Sequence, residues 1–146
     1  MKNIEIKKFT TNQCALFALA NKIRTAVFVQ EQGVPKDLEY DEHDQTAHHY
    51  LLYLNNKPIA TARWRQTAHG IKLERFAMLP DYRNQGIGTV LLSEVIKDTS
   101  KQGVVVYLHA QADAVNYYSR AGFRITGAAF EEAGIMHYPM SLAEVK

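Results

Sequence analysis

The chain has 146 residues, which suits one domain (1–146) able to bury roughly two thirds of the surface its unfolded form exposes. Hydrophobic content of 47% with 22% charge is that of a globular protein, and a net charge of +2 is too small to argue for a nucleic-acid partner by electrostatics. The opening MKNIEIKKFTTNQC lacks the apolar core of a signal peptide, and no apolar run approaches the roughly 20 residues of a membrane span, so a cytoplasmic protein without a membrane partner is expected. The single cysteine, Cys14, has no second thiol for a disulfide or a CxxC site and reads as structural, on or near the first helix.

Residues 3–9 alternate apolar and polar, the period of a half-buried strand. After the capping residues of TTN, Leu16, Leu19, Ile23 and Val27 recur at spacings of three and four, as on one helix face. Periodicity then lapses through VFVQEQGVPKDLEYDEHDQTA, where Gly33 and Pro35 break the helix and leave a long connection. From His49 to Thr67 two strand-like runs flank NNK, whose asparagines tolerate positive φ, and a third run at 71–79 completes a meander. A helix follows with Ile87, Val90, Leu91 and Val95 on one face. VVVYLHA after Gly103 reads as a strand buried on both faces. Asp113 can cap a short helix stopped at Gly122, and strand-like pieces at 123–128 and 136–142 finish the chain. The order predicts an α/β (α+β) fold with a mixed sheet.

Between the meander and the next helix lies LPDYRNQGIGTVLL. Gly86 and Gly88 lack Cβ atoms, so the backbone there can turn tightly and approach a ligand with its N–H groups outward. Successive N–H groups at a helix N-terminus suit a phosphate. A dinucleotide fingerprint would want a third glycine where Leu91 stands, and a P-loop would want Gly-Lys-Ser/Thr, which is missing.

The R-x-x-G-x-G run at 83–88 resembles motif A of the GNAT superfamily of N-acyltransferases, and ADAVNYYSRAGF resembles its motif B, with Ala114, Tyr118, Gly122 and Phe123 in register and Gln111 where asparagine is usual. The loop at 28–44, HAQ and EEAGIMHYPM are further similar to the ElaA/YjcF-like branch of small bacterial acyltransferases. The resemblance implies a mostly antiparallel central sheet of six to seven strands flanked by helices, with acetyl-CoA as donor. A small-molecule or peptide amine would be the acceptor, no metal is implied, and a homodimer is admitted. It further implies that Ala77, Met78 and Leu79 offer main-chain groups to the pantetheine arm. Arg83, Asn84, Gln85, Gly86, Ile87 and Gly88 would offer backbone N–H groups to the pyrophosphate, and Thr89 a hydroxyl. The Arg83 guanidinium is expected either at a phosphate or in solvent.

Acyl transfer needs a donor for the oxyanion, a proton for the leaving thiolate and a base for the amine. The resemblance gives the first to the backbone amide of Met78 or Leu79. Tyr118 is the candidate acid, since a phenol is protonated at neutral pH, although the adjacent Tyr117 points about 100° away and one of the two must pack elsewhere. Glu74 and His109 are candidate bases. Their bland alternatives are an ion pair of Glu74 with Arg75 and a satisfied strand-end histidine, and His137 has a weaker claim. Glu39, Asp41, Glu42 and Asp44 read either as a solvated acidic loop or as the lining of an acceptor pocket; without a central glycine they do not form an EF-hand. An N-acyltransferase is the leading function, and an acyl-CoA-binding module of the same fold without turnover is the alternative.

Overall fold

The computed structural model describes residues 3–143, with the side chains of Asp37 and Leu38 excepted. The two ends of the expected 1–146 domain, and the Asp37 side chain of the acidic loop, lie outside the described residues. The elements are β1 (Ile4–Phe9), α1 (Cys14–Arg24) running into a π-helical segment (Thr25–Glu31), α2 (Lys36–Glu39), β2 (His48–Leu54), β3 (Lys57–Thr67) and β4 (Gly70–Met78). Then follow α3 (Ile87–Thr99), β5 (Val106–Gln111), α4 (Val115–Arg120), β6 (Phe123–Ile125), β7 (Phe130–Glu132) and β8 (Ile135–Leu142).

Among the described residues eight strands form one mixed sheet in the order β1-β2-β3-β4-β5-β8-β6, with β7 added on β8. Only β4 and β5 run parallel; the other pairs are antiparallel. The strand beyond those read from sequence is β7. It has three residues and turns into β8 through Ala133 and Gly134, both at positive φ, which is too short a run to show a period of its own. Asn55 and Asn56 sit at φ 49 and 69, the left-handed pair that closes a tight hairpin between β2 and β3.

Each face of the sheet has its own core. Ile87, Leu91, Leu92 and Val95 of α3 pack with Trp64, Leu73, Leu108 and Met140 on one face, whereas Ala20, Ile23, Val27 and Phe28 pack with Leu51 and Ala77 on the other. Two sequence expectations need correction. Val90 is exposed, and Leu92 takes its place against the sheet. Val104 and Val105 are each 51% exposed and precede the strand, and within β5 burial alternates, because only Val106, Leu108 and Ala110 face the α3 core while the other face borders a pocket. The start of β4 needs glycine: at Gly70 (φ +135) a Cβ would lie 2.3 Å from the Val105 carbonyl oxygen.

Two irregularities set up the site. The β4–β5 ladder joins only Ile71–Leu73 to Val106–Leu108, after which the strands splay. In β4 the register jumps from Arg63↔Glu74 to Thr61↔Ala77, so Arg75 and Phe76 together oppose Ala62 in a β-bulge, with Arg75 at φ 57. The extra residue reverses the side chains that follow. Ile71 and Leu73 point into the α3 core before it; Phe76 and Met78 do so after it, while Ala77 and Leu79 turn to the α1 side.

Candidate active site

Two cavities flank the splay. The larger, about 1280 Å³, lies between the end of β4, the loop at 83–88, α3 and α4. The smaller, about 460 Å³, lies between β4, β5, the acidic loop and the β7–β8 hairpin. Phe76, Ala114 and Tyr118 line both, so the two cavities meet at these side chains.

The wall of the larger cavity sets the glycines of the loop against larger side chains such as Phe76, Met78, Leu91, Ile96 and Tyr117. Gly86, at φ 78, is the N-cap of α3 and carries no capping side chain, so the first N–H groups of α3 are left to face the cavity that Gly86, Gly88 and Thr89 line. A Cβ on Gly86 would touch nothing within 4 Å; the position calls for its backbone conformation rather than for space. Ala77, Met78, Arg83 and Asn84 complete the sequence-predicted lining. Gln85 instead donates its amide to the Asp81 carbonyl, and Ile87 is buried in the core.

The main chain at the end of β4 narrows further. The Leu79 N–H donates to the Ile59 carbonyl at 3.0 Å, so residues 79 and 59 form a hydrogen-bonded pair facing β3. By antiparallel alternation Ala77 faces β3 as well, and Met78 points its N–H and C=O toward the splayed side. The Met78 carbonyl accepts from Arg83 Nε at 2.9 Å. Of the three residues, Met78 is the one whose N–H is aimed into the opening.

Arg83 lines the larger cavity, and its side chain is about a third exposed at 35%. Its two terminal nitrogens each lie 2.8 Å from a carboxylate oxygen of Glu31, which raises its pKa, and the fork ties the loop to the π-helical segment. Gln32, the residue that caps that segment, exchanges side-chain amide hydrogen bonds with Gln111 at 2.8 and 3.3 Å. The segment therefore bridges the ends of β4 and β5 where they part.

The two tyrosines of α4 divide as helix geometry requires. Tyr117 donates to the Gly88 carbonyl at 2.5 Å and anchors α4 on the loop. Tyr118 lies at the junction of the cavities, its ring edge-to-face with Phe76 and Phe123. Burial, reinforced by Tyr117, pushes its hydroxyl above the ordinary phenol range, so it is protonated at neutral pH.

The wall of the smaller cavity is a lattice of charge. Arg63, 1% exposed, reaches Asp41 at 2.8 Å, Asp44 at 2.7 Å and Glu74 at 3.0 Å. Arg24, equally buried, binds Glu39 and Asp44, each at 2.8 Å. Burial would raise the carboxyls of Glu74 and Asp41, but it is outweighed: Arg63, Arg65 and Lys72 hold Glu74 at about 2, and Arg63 and Arg75 hold Asp41 at about 2. Of the acidic loop, Glu39, Asp41 and Asp44 are thus paired with arginines, Glu39 and Asp41 line the smaller cavity, and Glu42 is exposed. Glu74 pairs with residues 63, 65 and 72, which share its side of the sheet, rather than with its chain neighbour Arg75, which pairs with Glu39 and Asp41. A carboxylate so strongly stabilised in its charged form is a weak proton acceptor.

His109, Glu132 and His137 form the opposite wall. His109 Nδ1 lies 3.6 Å from one Glu132 oxygen and His137 Nε2 lies 3.7 Å from the other. The Phe130 ring is edge-on to His109 and stacked on His137. His137 is further fixed by its Nδ1–H, which donates to the Ile135 carbonyl. Chiefly through His109, the Glu132 carboxyl is held below its usual range. At 48% exposure Glu132 is the most accessible carboxylate of this cavity. Sequence reasoning missed Glu132, Phe76 and the Gln32–Gln111 pair; the one available signal was EEAG, a turn sequence placing an acidic residue at a strand end. Among the described residues no group of three or more His, Cys, Asp or Glu side chains is arranged to hold a metal ion, and no helix is long and apolar enough to cross a membrane.

Residues 6–144 match the model of the acetyltransferase (GNAT) domain. The chain is 35% identical over 120 residues to the uncharacterized N-acetyltransferase YjcF of Bacillus subtilis (strain 168), covering 81% of this chain and 86% of that protein. The crystal structure of Escherichia coli ElaA superposes with a TM-score of 0.85 at 27% identity, covering 97% of this chain and all of the other. A GNAT family acetyltransferase from Elizabethkingia anophelis, solved with acetyl-CoA bound, shares the fold at a TM-score of 0.64 and 22% identity over 95% of each chain.

Proposed function

The chain belongs to the GNAT acetyltransferase family, and from that premise we propose that it transfers an acyl group, acetyl from acetyl-CoA, to a primary amine of a small molecule or peptide by direct attack. The observation that carries this reading is the meeting of two cavities at Phe76, Ala114 and Tyr118: one site for a donor, one for an acceptor, and a protonated phenol between them.

The α3 N-terminus and the loop at 83–88 hold the pyrophosphate through backbone N–H groups. Met78 N–H, free of β3, donates to the thioester carbonyl oxygen as charge develops on it. The amine nitrogen bonds to the carbonyl carbon, the C–S bond breaks, and Tyr118 supplies the proton that the departing thiolate takes up. The amine gives up its own proton to a base in the smaller cavity, where His109 is the better candidate because Glu74 is committed to its cations. Glu132 is the accessible carboxylate that draws a cationic amine there, and the ammonium loses its first proton to solvent before its lone pair attacks. No step calls for a metal, and we assign the protein to the cytoplasm.

The test is to supply acetyl-CoA with a panel of primary amines and follow free thiol by absorbance, with mass spectrometry of the product. Amine-dependent, saturable release is expected. Tight acetyl-CoA binding without release for any amine would instead identify the acyl-CoA-binding module.

A further inference from the structure

Glu132 has no role in the steps above beyond its charge, yet its placement is specific. Register puts it in the company of two imidazoles: His109 of β5, His137 opposite Gln111 on β8, and Phe130 opposite His137 on β7 all lie on the pocket face. His109 Nδ1 is buried and has no hydrogen-bond partner, and the acceptor beside it is the Glu132 carboxylate at 3.6 Å. An ionised carboxylate only accepts, so the ring atom turned toward it is the one that bears hydrogen. In a neutral imidazole the lone pair then falls on Nε2, in a side chain that lines the pocket and whose 28% exposure belongs to atoms other than Nδ1.

Resting on the acyltransferase reading, we propose that Glu132 is a positioning residue that holds His109 in the Nδ1–H form, leaving Nε2 as the base that receives the acceptor amine's proton. His137 is fixed by its Nδ1–H on the Ile135 carbonyl, and Phe130 packs against both rings. As the nitrogen–carbon bond forms, the proton passes from the amine to Nε2 and the imidazolium keeps its Nδ1–H on Glu132. Tyr118 protonates the thiolate, and solvent exchange returns the proton from the imidazolium to the phenolate, so the cycle closes with amide and free thiol.

Nuclear magnetic resonance of the histidine ring carbons and nitrogens tests the first half without turnover. His109 of the wild type is expected as the Nδ1–H tautomer. Glu132→Ala shifts it toward Nε2–H, and Glu132→Gln, which keeps an accepting oxygen, restores it. In thiol-release kinetics Glu132→Ala loses at least tenfold in kcat, part of the about 10²–10⁴-fold that a general base contributes, with KM for acetyl-CoA within about twofold. The acidic limb of the pH–rate profile for Glu132→Gln moves to lower pH, because the lost carboxylate favours a protonated ring. The other charges facing this wall, Lys72 and Glu74 of β4 and His137 of β8, are unchanged between the variants. A wild-type Nε2–H tautomer, or a tautomer and limb unmoved by Glu132→Ala, overturns the proposal. An intact tautomer response with no thiol release from wild type for any amine overturns the acyltransferase reading, and the base role with it, so the two failures are told apart.

Discussion

The two cavities that meet at Tyr118 are built of different materials. The larger is framed by main chain: a left-handed Gly86, the open N-terminus of α3 and a Met78 amide released from its ladder. The smaller is lined by Glu39, Asp41, Arg65, Lys72, Glu74 and Arg75, with the buried Arg24, Arg63 and Asp44 completing the charge lattice behind them. A backbone site depends on local conformation and tolerates many side chains. A lattice of buried charge depends on every member, because one removed partner strands the others.

That contrast is sharpest at Arg63. Arg63→Ala leaves Asp41, Asp44 and Glu74 short of a partner and is expected to cost about 3–5 kcal/mol in chemical denaturation, the usual penalty for breaking a buried ion pair. A loss under 1 kcal/mol would show the lattice to be decorative. Acid should find the same weak point. Glu74 and Asp41 have folded pKa values near 2, below their ordinary 4.5 and 3.8, so their stabilisation is complete above about 4.5 and is lost as pH falls toward 2. For Glu74 this amounts to about 3 kcal/mol. Thermal unfolding across pH 5 to 2 reads it, and a flat profile would contradict it.

At the junction, Tyr118→Phe removes a proton donor but no packing. It is expected to lower kcat by about 10² or more while acetyl-CoA affinity stays within about twofold. Unchanged thiol release would move the acid elsewhere. On the backbone side effects are smaller: Gly86→Ala forces a left-handed alanine at about 1–2 kcal/mol, which should weaken acetyl-CoA about five- to thirtyfold by calorimetry. Smallest is Gln111→Ala, which opens the amide clasp to Gln32 for about 1 kcal/mol, seen as a modest fall in melting temperature.

The same difference in materials explains what could be read from the chain alone. Gly86, Gly88 and Tyr118 announce themselves through spacings of a few residues, because turn conformation and helix periodicity are local. The meander and its Asn-Asn turn were legible for the same reason. The charge lattice was not: acidic residues at 39–44 look solvated until β3 and β4 bring cations from 63–75 under them. The fork of Arg83 on Glu31 was hidden too, because the two lie 52 residues apart. Valines 104 and 105 looked like core because composition cannot show where a ladder begins.

One peptide unit in β4 carries a wider consequence. With Arg75 inserted, the strand serves the charged pocket through Lys72 and Glu74 and the donor cleft through Phe76 and Met78, on opposite sides of the same ribbon. Pairing the same residues without the bulge would return the strand to a single frame, swing Met78 to the other face and turn its amide toward β3. The separation of two substrates along one strand, and their reunion at its end, is thus written as a frameshift in the backbone.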